Sequence, residues 1–152
     1  MAFSQYFAEK ILAWVTGTTF PTGLTSIHVT LHTADPGVAG TVADVTHAVC
    51  GVHSQSVSSH GANSKLSASG AAAGGGFEII NTDVVQMAAA AFNTSPVTIT
   101  HFGFWNLPCT SPHGTSNPPE EFIASGALTT SVEIQLNDTV QFNTGAMSIK
   151  VI

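Results

Sequence analysis

The sequence predicts an all-β fold, an antiparallel β-sandwich or jelly roll carrying one N-terminal α-helix. Three observations predict it. Short runs rich in β-branched and aromatic residues recur from Ser26 onward, closed by Gly, Pro, Asn and Asp turns. A single stretch, residues 4–16, has helical spacing and helix-end signals. With 43% hydrophobic residues in a chain of 152, one ordinary core can form within one domain of common size. No internal repeat of fixed period is present.

The single domain, 1–152, divides into a helix and linker over 1–20, a strand and turn over 21–37, a loop-rich excursion over 38–76 and a β-strand core over 77–152. In the helix, Ser4 suits the N-cap and Gly17 the position just past the end. Phe3, Phe7, Ile11 and Trp14 share one apolar stripe, with Tyr6 and Val15 beside it. Docking on its own domain is the simpler reading of that stripe. On the alternative of a partner-facing helix, Phe3, Tyr6, Phe7 and Trp14 are the contact residues.

Ser26–Thr33 alternates, with Ile27, Val29 and Leu31 facing one way and His28, Thr30 and His32 the other. Asp35-Pro36-Gly37 ends it with turn chemistry. Between Val42 and Val57 short strands are possible, Ala48–Val52 among them. Ser58–Gly76 is nearly all Ser, Gly, Ala and Asn and reads as loop. A loop of that length suggests function or contact with another chain.

Strands are then expected at Phe77–Ile80 and Val84–Ala88, around an Asn81-Thr82-Asp83 turn. Val97–Trp105 is the strongest strand, and a Pro-rich loop from Pro108 to Pro119 follows it. Phe122–Leu128, Ser131–Leu136, Thr139–Phe142 and Met147–Val151 complete the set, with turns at Asn137-Asp138 and Asn143-Thr144-Gly145.

Charge is scarce: three lysines, no arginine and nine acids, 8% of residues against the usual quarter. The net charge of −6 reflects missing bases, which disfavours nucleic acid, since phosphate binding rests on clustered Lys and Arg. A neutral surface of Ser, Thr, Asn and Gly can be covered by other subunits without desolvating ions. The composition therefore leans towards a component of an assembly. The N-terminal end lacks a signal-peptide pattern, no run approaches the ~20 apolar residues of a spanning helix, and no membrane partner is expected. Cys50 and Cys109 allow at most one internal disulfide, and two free thiols suit a chain without a secretory signature.

Nothing in the chain resembles an active site. His28 and His32 stand ~13 Å apart along an extended strand, too far to share a metal ion. His47, Cys50, His53 and His60 have ligand-like side chains but no zinc spacing. Cys109 and His113 sit in the Pro-rich loop without an orienting group. Glu120-Glu121 are sequence neighbours whose side chains diverge. Gly70–Gly76 lacks the Lys-Ser/Thr of a phosphate loop. Phe102, Phe104 and Trp105 read as core before they read as a ligand platform. No catalytic residue, cofactor or metal is expected.

The opening helix Phe3–Gly17, the Leu31-His32-Thr33-Ala34-Asp35-Pro36-Gly37 stretch and His101-Phe102-Gly103-Phe104-Trp105-Asn106 come in that order. Ala124-Ser125-Gly126-Ala127-Leu128-Thr129-Thr130, Asn137–Phe142 and Gly145–Ile149 follow. Together they resemble a family of small tailed-bacteriophage virion proteins, tail-fibre-like in description, with relatives that serve as capsid decoration (cement) proteins. The resemblance implies a non-enzymatic structural protein of the virion, assembled in the host cytoplasm. Its first implication is a decoration protein on the capsid exterior, bound to the major capsid protein and self-associated as a homotrimer. Many weak neutral contacts repeated by symmetry would supply avidity. A tail or tail-fibre component is the alternative, and a glycan-binding module on Phe104 and Trp105 a third reading.

Overall fold

The computed structural model describes residues 4–19, 27–45, 55–58, 65–67, 70–90, 95–106 and 121–151. Among the described residues one helix, α1 (Gln5–Val15), precedes nine strands. These are β1 (Ile27–His32), β2 (Gln55–Ser58), β3 (Gly70–Ala71), β4 (Phe77–Ile80), β5 (Val85–Ala89), β6 (Val97–Trp105), β7 (Phe122–Ile134), β8 (Thr139–Phe142) and β9 (Ser148–Val151). All pairings are antiparallel. One layer is a four-stranded sheet in the order β2-β1-β6-β7; a three-stranded sheet β3-β4-β9 and the pair β5-β8 pack against it. The result is the all-β sandwich with one N-terminal helix.

The central pair of the large sheet explains the core. Val29 lies opposite Phe104 and Leu31 opposite Phe102, so these four side chains share the inward face. Val85, Met87, Val140, Phe142 and Met147 meet them from the other layer. Each fully buried side chain of this kind contributes about 1.5–3 kcal/mol of transfer free energy.

The other face of β1 overturns a simple alternation. His28, Thr30 and His32 are as buried as their apolar neighbours. Trp105 and Phe122 form a second, smaller cluster with ring centroids 5.2 Å apart. The turn after β1 joins it at Gly40, where an added Cβ would lie 2.3 Å from the Phe122 ring. β1 is thus covered on both faces.

Two further expectations are corrected. Phe122–Leu128 and Ser131–Leu136 are one strand, not two. Ile99 pairs with Val132 and His101 with Ala127, so Leu128–Ser131 bulge opposite Thr100 where a break between two strands was expected. The 38–76 excursion also supplies sheet: β2 extends the large sheet beside β1, and β3 edges the small one. Between them, Leu66 bridges Asn81 and Ser67 N–H donates to Ile80 O at 2.8 Å. Ala48–Val52 and Pro108–Pro119 lie outside the described residues.

Turns carry local devices. Gly37 N–H donates to Asp35 Oδ1 at 2.9 Å, closing an Asx turn after β1. Asn137, at φ 70°, turns the chain between layers from β7 to β8. That turn is pinned to the end of β5 by Asn137 N–H to Ala90 O at 2.8 Å.

Candidate functional site

The helix carries the partner-contact candidates, and its ends are built as its sequence suggests. Ser4 Oγ accepts from Phe7 N–H at 3.0 Å, and Ser4 N–H donates to Ile123 O at 3.2 Å, fastening the N-terminus to β7. At the other end Thr18 N–H donates to Ala13 O and Gly17 N–H to Trp14 O, each at 3.0 Å, with Gly17 at φ 96°. This is a Schellman stop.

The predicted stripe faces the domain at its start and leaves it at its end. Phe7 is half-buried and lines an apolar groove of about 220 Å³ with Ile27, Ile79, Phe104, Ile123 and Ile149. Tyr6 is also half-buried and hydrogen-bonds Glu121 at the start of β7. Burial, then the hydrogen bond and negative charge of Glu121, raise the phenol above its ordinary value. Glu121 is itself held by Asn106, whose Nδ2 donates to Oε2 at 3.1 Å and whose Oδ1 accepts from Glu121 N–H at 2.7 Å. Lys10 Nζ stands 5.2 Å from the Tyr6 ring centroid.

Trp14, on the same stripe, is 56% exposed, because α1 rests on β7 and its last turns overhang that support. Leu12 and Val15 are exposed beside it, at 65% and 70%. The four candidates therefore split: Tyr6 and Phe7 turn inward, Trp14 outward, and Phe3 lies outside the described residues. Leu12, Trp14 and Val15 make the exposed apolar set at the end of the helix. Sequence spacing alone did not single out Leu12, which lies off the stripe.

Thr30, His32 and Trp105 are absorbed into the fold. Trp105 Nε1–H donates to Thr30 Oγ1 at 3.0 Å, Thr30 Oγ1 lies 2.8 Å from His32 Nε2, and His32 Nδ1 lies 2.9 Å from Val42 O. Phe102, Phe104 and Trp105 are all buried, so their strand presents no open aromatic platform for a glycan. The Gly-rich run is a hairpin between β3 and β4. Ala72 N–H donates to Gly76 O and Gly75 N–H to Ala72 O, both at 3.1 Å. Gly74, Gly75 and Gly76 all have positive φ, which that tight reversal requires.

A cleft of about 320 Å³ brings Asp35, His101, Ser125, Ser148 and Lys150 together, a set the sequence did not group. It lacks the geometry of a nucleophile triad. His101 Nδ1 faces Thr100 Oγ1 at 2.8 Å, where a triad would place a carboxylate. Among the described residues no group of three or more His, Cys, Asp or Glu is placed to hold a metal ion. His47, Cys50, His53, His60, Cys109, His113 and Glu120 lie outside the described residues. Among the described residues no helix is long and apolar enough to cross a membrane.

Each lysine meets a neutral group. Beside Lys10 on the Tyr6 ring, Lys65 Nζ donates to Val84 O at 3.0 Å and Lys150 Nζ to Ala73 O.

Comparison with known families finds one that spans nearly the whole chain. The family model described as Podophage GP4 fiber I protein gp80 matches residues 2–150. No curated protein matches the chain.

Proposed function

The chain belongs to the podophage GP4 fiber I protein gp80 family, a family of phage virion structural proteins, and on that premise we propose that it is a fibre component of the virion. The observation that carries this reading is the length of the match, which takes in the helix, β1 to β8 and all but the last residue of β9. The neutral surface supports it. With only three lysines and nine acids, the protein offers neighbouring subunits Ser, Thr and Asn hydroxyls and amides that are cheap to desolvate. Self-association, with a homotrimer as the arrangement to test, belongs to the same proposal. Symmetry multiplies weak neutral contacts into avidity.

A capsid decoration protein, bound to the major capsid protein on the head exterior, is the second reading. The same uncharged surface favours it, because a decoration protein is likewise covered by its neighbours. The family description favours the fibre.

Imaging of intact virions, with the copy number of this chain measured in the same particles, separates the two. A fibre component gives few copies, placed at the tail. Many copies distributed over the head lattice would establish decoration instead, and absence from purified particles would end both readings.

A further inference from the structure

Along the contacts through Thr30, His32 and Trp105, the chemistry of each partner places the protons. An indole nitrogen can only donate, so the Trp105 proton points at Thr30 Oγ1, 3.0 Å away. A backbone carbonyl can only accept, so His32 Nδ1, 2.9 Å from Val42 O, carries the ring proton. The ring is fully buried, which disfavours an imidazolium, so Nε2 accepts and the Thr30 hydroxyl, 2.8 Å away, donates to it. These constraints select the neutral Nδ1–H tautomer.

The surroundings leave little room for another arrangement. Thr30 and His32 are fully buried and Trp105 nearly so. Gly103, opposite Thr30 on β6, closes the space above them. A Cβ there would stand 2.7 Å from Thr30 Oγ1 and 3.0 Å from His32 Nε2.

Val42 belongs to the loop that follows β1 and folds back along it. Thr33 N–H donates to Ala43 O at 3.1 Å and Val45 N–H to Leu31 O at 3.0 Å. Side chains tie it as well: the His32 ring at Val42 O, and Thr100 Oγ1, which donates to Thr33 O at 2.8 Å at the start of the loop. The loop exposes Val38 and Val42, at 56% and 55%.

We propose that His32 is a pH-sensitive latch for the loop Thr33–Asp44. A second proton on the ring must sit at Nε2, where the Thr30 hydroxyl proton already points. The hydroxyl must then turn away inside a closed site, and an imidazolium is buried beside the Trp105 N–H. Release of the loop relieves both costs by admitting water.

The neighbouring titratable groups act in both directions. Asp44, backbone-bridged to His32, and Asp35 in the same loop offset part of the new charge. A positive charge on His28 of β1, or on His101, the register partner of His32 on β6, would oppose it. Glu121, just before Phe122 on β7, is engaged by Asn106 and Tyr6. The inference is independent of whether the protein sits in a fibre or on a head.

The test uses the full chain in a Trp14→Phe background, which leaves Trp105 the only tryptophan. Acidification from neutral pH is expected to shift Trp105 emission reversibly to the red and to open the 33–45 loop to protease before global unfolding. His32→Gln, neutral at every pH, is expected to lose that transition. An unchanged acid transition in His32→Gln overturns the latch. So does nitrogen NMR showing His32 Nε2 protonated at neutral pH. Should His32→Gln fail to fold, Thr30→Val serves instead. Removing the competing hydroxyl is expected to move the transition to higher pH, and an unmoved transition overturns the coupling.

Discussion

Met147 N–H donates to Asn81 Oδ1 at 2.9 Å, joining residues 66 apart in the chain. Asn81 has no exposed surface, and its Nδ2 donates to Asp83 O at 3.0 Å and to Asn143 O at 2.8 Å. One amide therefore clips the β4–β5 turn to the β8–β9 turn. Its backbone adds two bonds to the same connection, Asn81 N–H to Met147 O at 3.1 Å and Gly145 N–H to Asn81 O at 2.9 Å.

Asn81→Ala should destabilise the protein by about 2–4 kcal/mol, since it strands two carbonyls and an N–H. Asn81→Asp should cost at least as much, because the carboxylate replaces a double donor with an acceptor facing two carbonyl oxygens. Urea unfolding measures both. A near-neutral Asn81→Asp would show that this site is wetter than its burial indicates.

Two glycines make a matched pair. A Cβ on Gly126 would meet Phe102 Cζ at 2.7 Å and Ser148 O at 2.8 Å, a close approach of β7 to β9. Gly126→Ala should cost about 1–3 kcal/mol through overpacking. Gly70 has nothing within 4 Å of its would-be Cβ and no positive φ, so Gly70→Ala should stay within about 0.5 kcal/mol. Equal effects in thermal unfolding would contradict the packing argument.

Tyr6 is the one tyrosine, so ultraviolet titration of phenolate reads it alone. Its folded value is raised, which means stability is fully present below the unfolded value of about 10 and is lost as pH rises through the folded one. Glu121→Gln should bring the phenol down and weaken that alkaline loss, leaving the burial contribution. Tyr6→Phe should remove it. An alkaline transition persisting unchanged in Tyr6→Phe points to lysine deprotonation instead.

The two ends of the helix stripe should respond differently. Phe7→Ala should cost about 1–2 kcal/mol, because its ring is half-buried in the apolar groove. Trp14→Ser should change stability by no more than about 0.5–1 kcal/mol while reducing incorporation into particles. Normal incorporation of Trp14→Ser together with Leu12→Ser would remove the overhang from the list of contact surfaces.

Some elements were legible because their signals are local. β4, β6 and β8 fall at the predicted bounds, each a β-branched or aromatic run with a turn residue beside it. Ser4 and Gly17 mark the helix because capping is decided within one turn of backbone. The bulge at Leu128–Ser131 was not legible. Thr129-Thr130 separates two predicted strands, and only the continued pairing of β6 with both flanks makes them a single strand. The exposed helix end was hidden for a similar reason: spacing identifies a stripe but not where its support stops.

Within the candidate site, the shortage of charge and the absence of a recognisable catalytic motif were readable directly. The burial of His28, Thr30 and His32 was not. A two-residue period separates the faces of a strand without saying what lies against each. Trp105, Phe122, Gly40 and Val42, which cover that face, come from three other parts of the chain.

By itself the sequence determined the β class, the helix and its ends, most of the turns and a surface with few charges. These depend on backbone preferences and composition, which act over a few residues. Tertiary structure alone decided that β1 is buried on both sides, that the 38–76 segment supplies two edge strands and that Asn81 joins distant turns. Each of these is a pairing between groups far apart in the chain, and a hydrogen bond or a packed ring selects its partner by position in space.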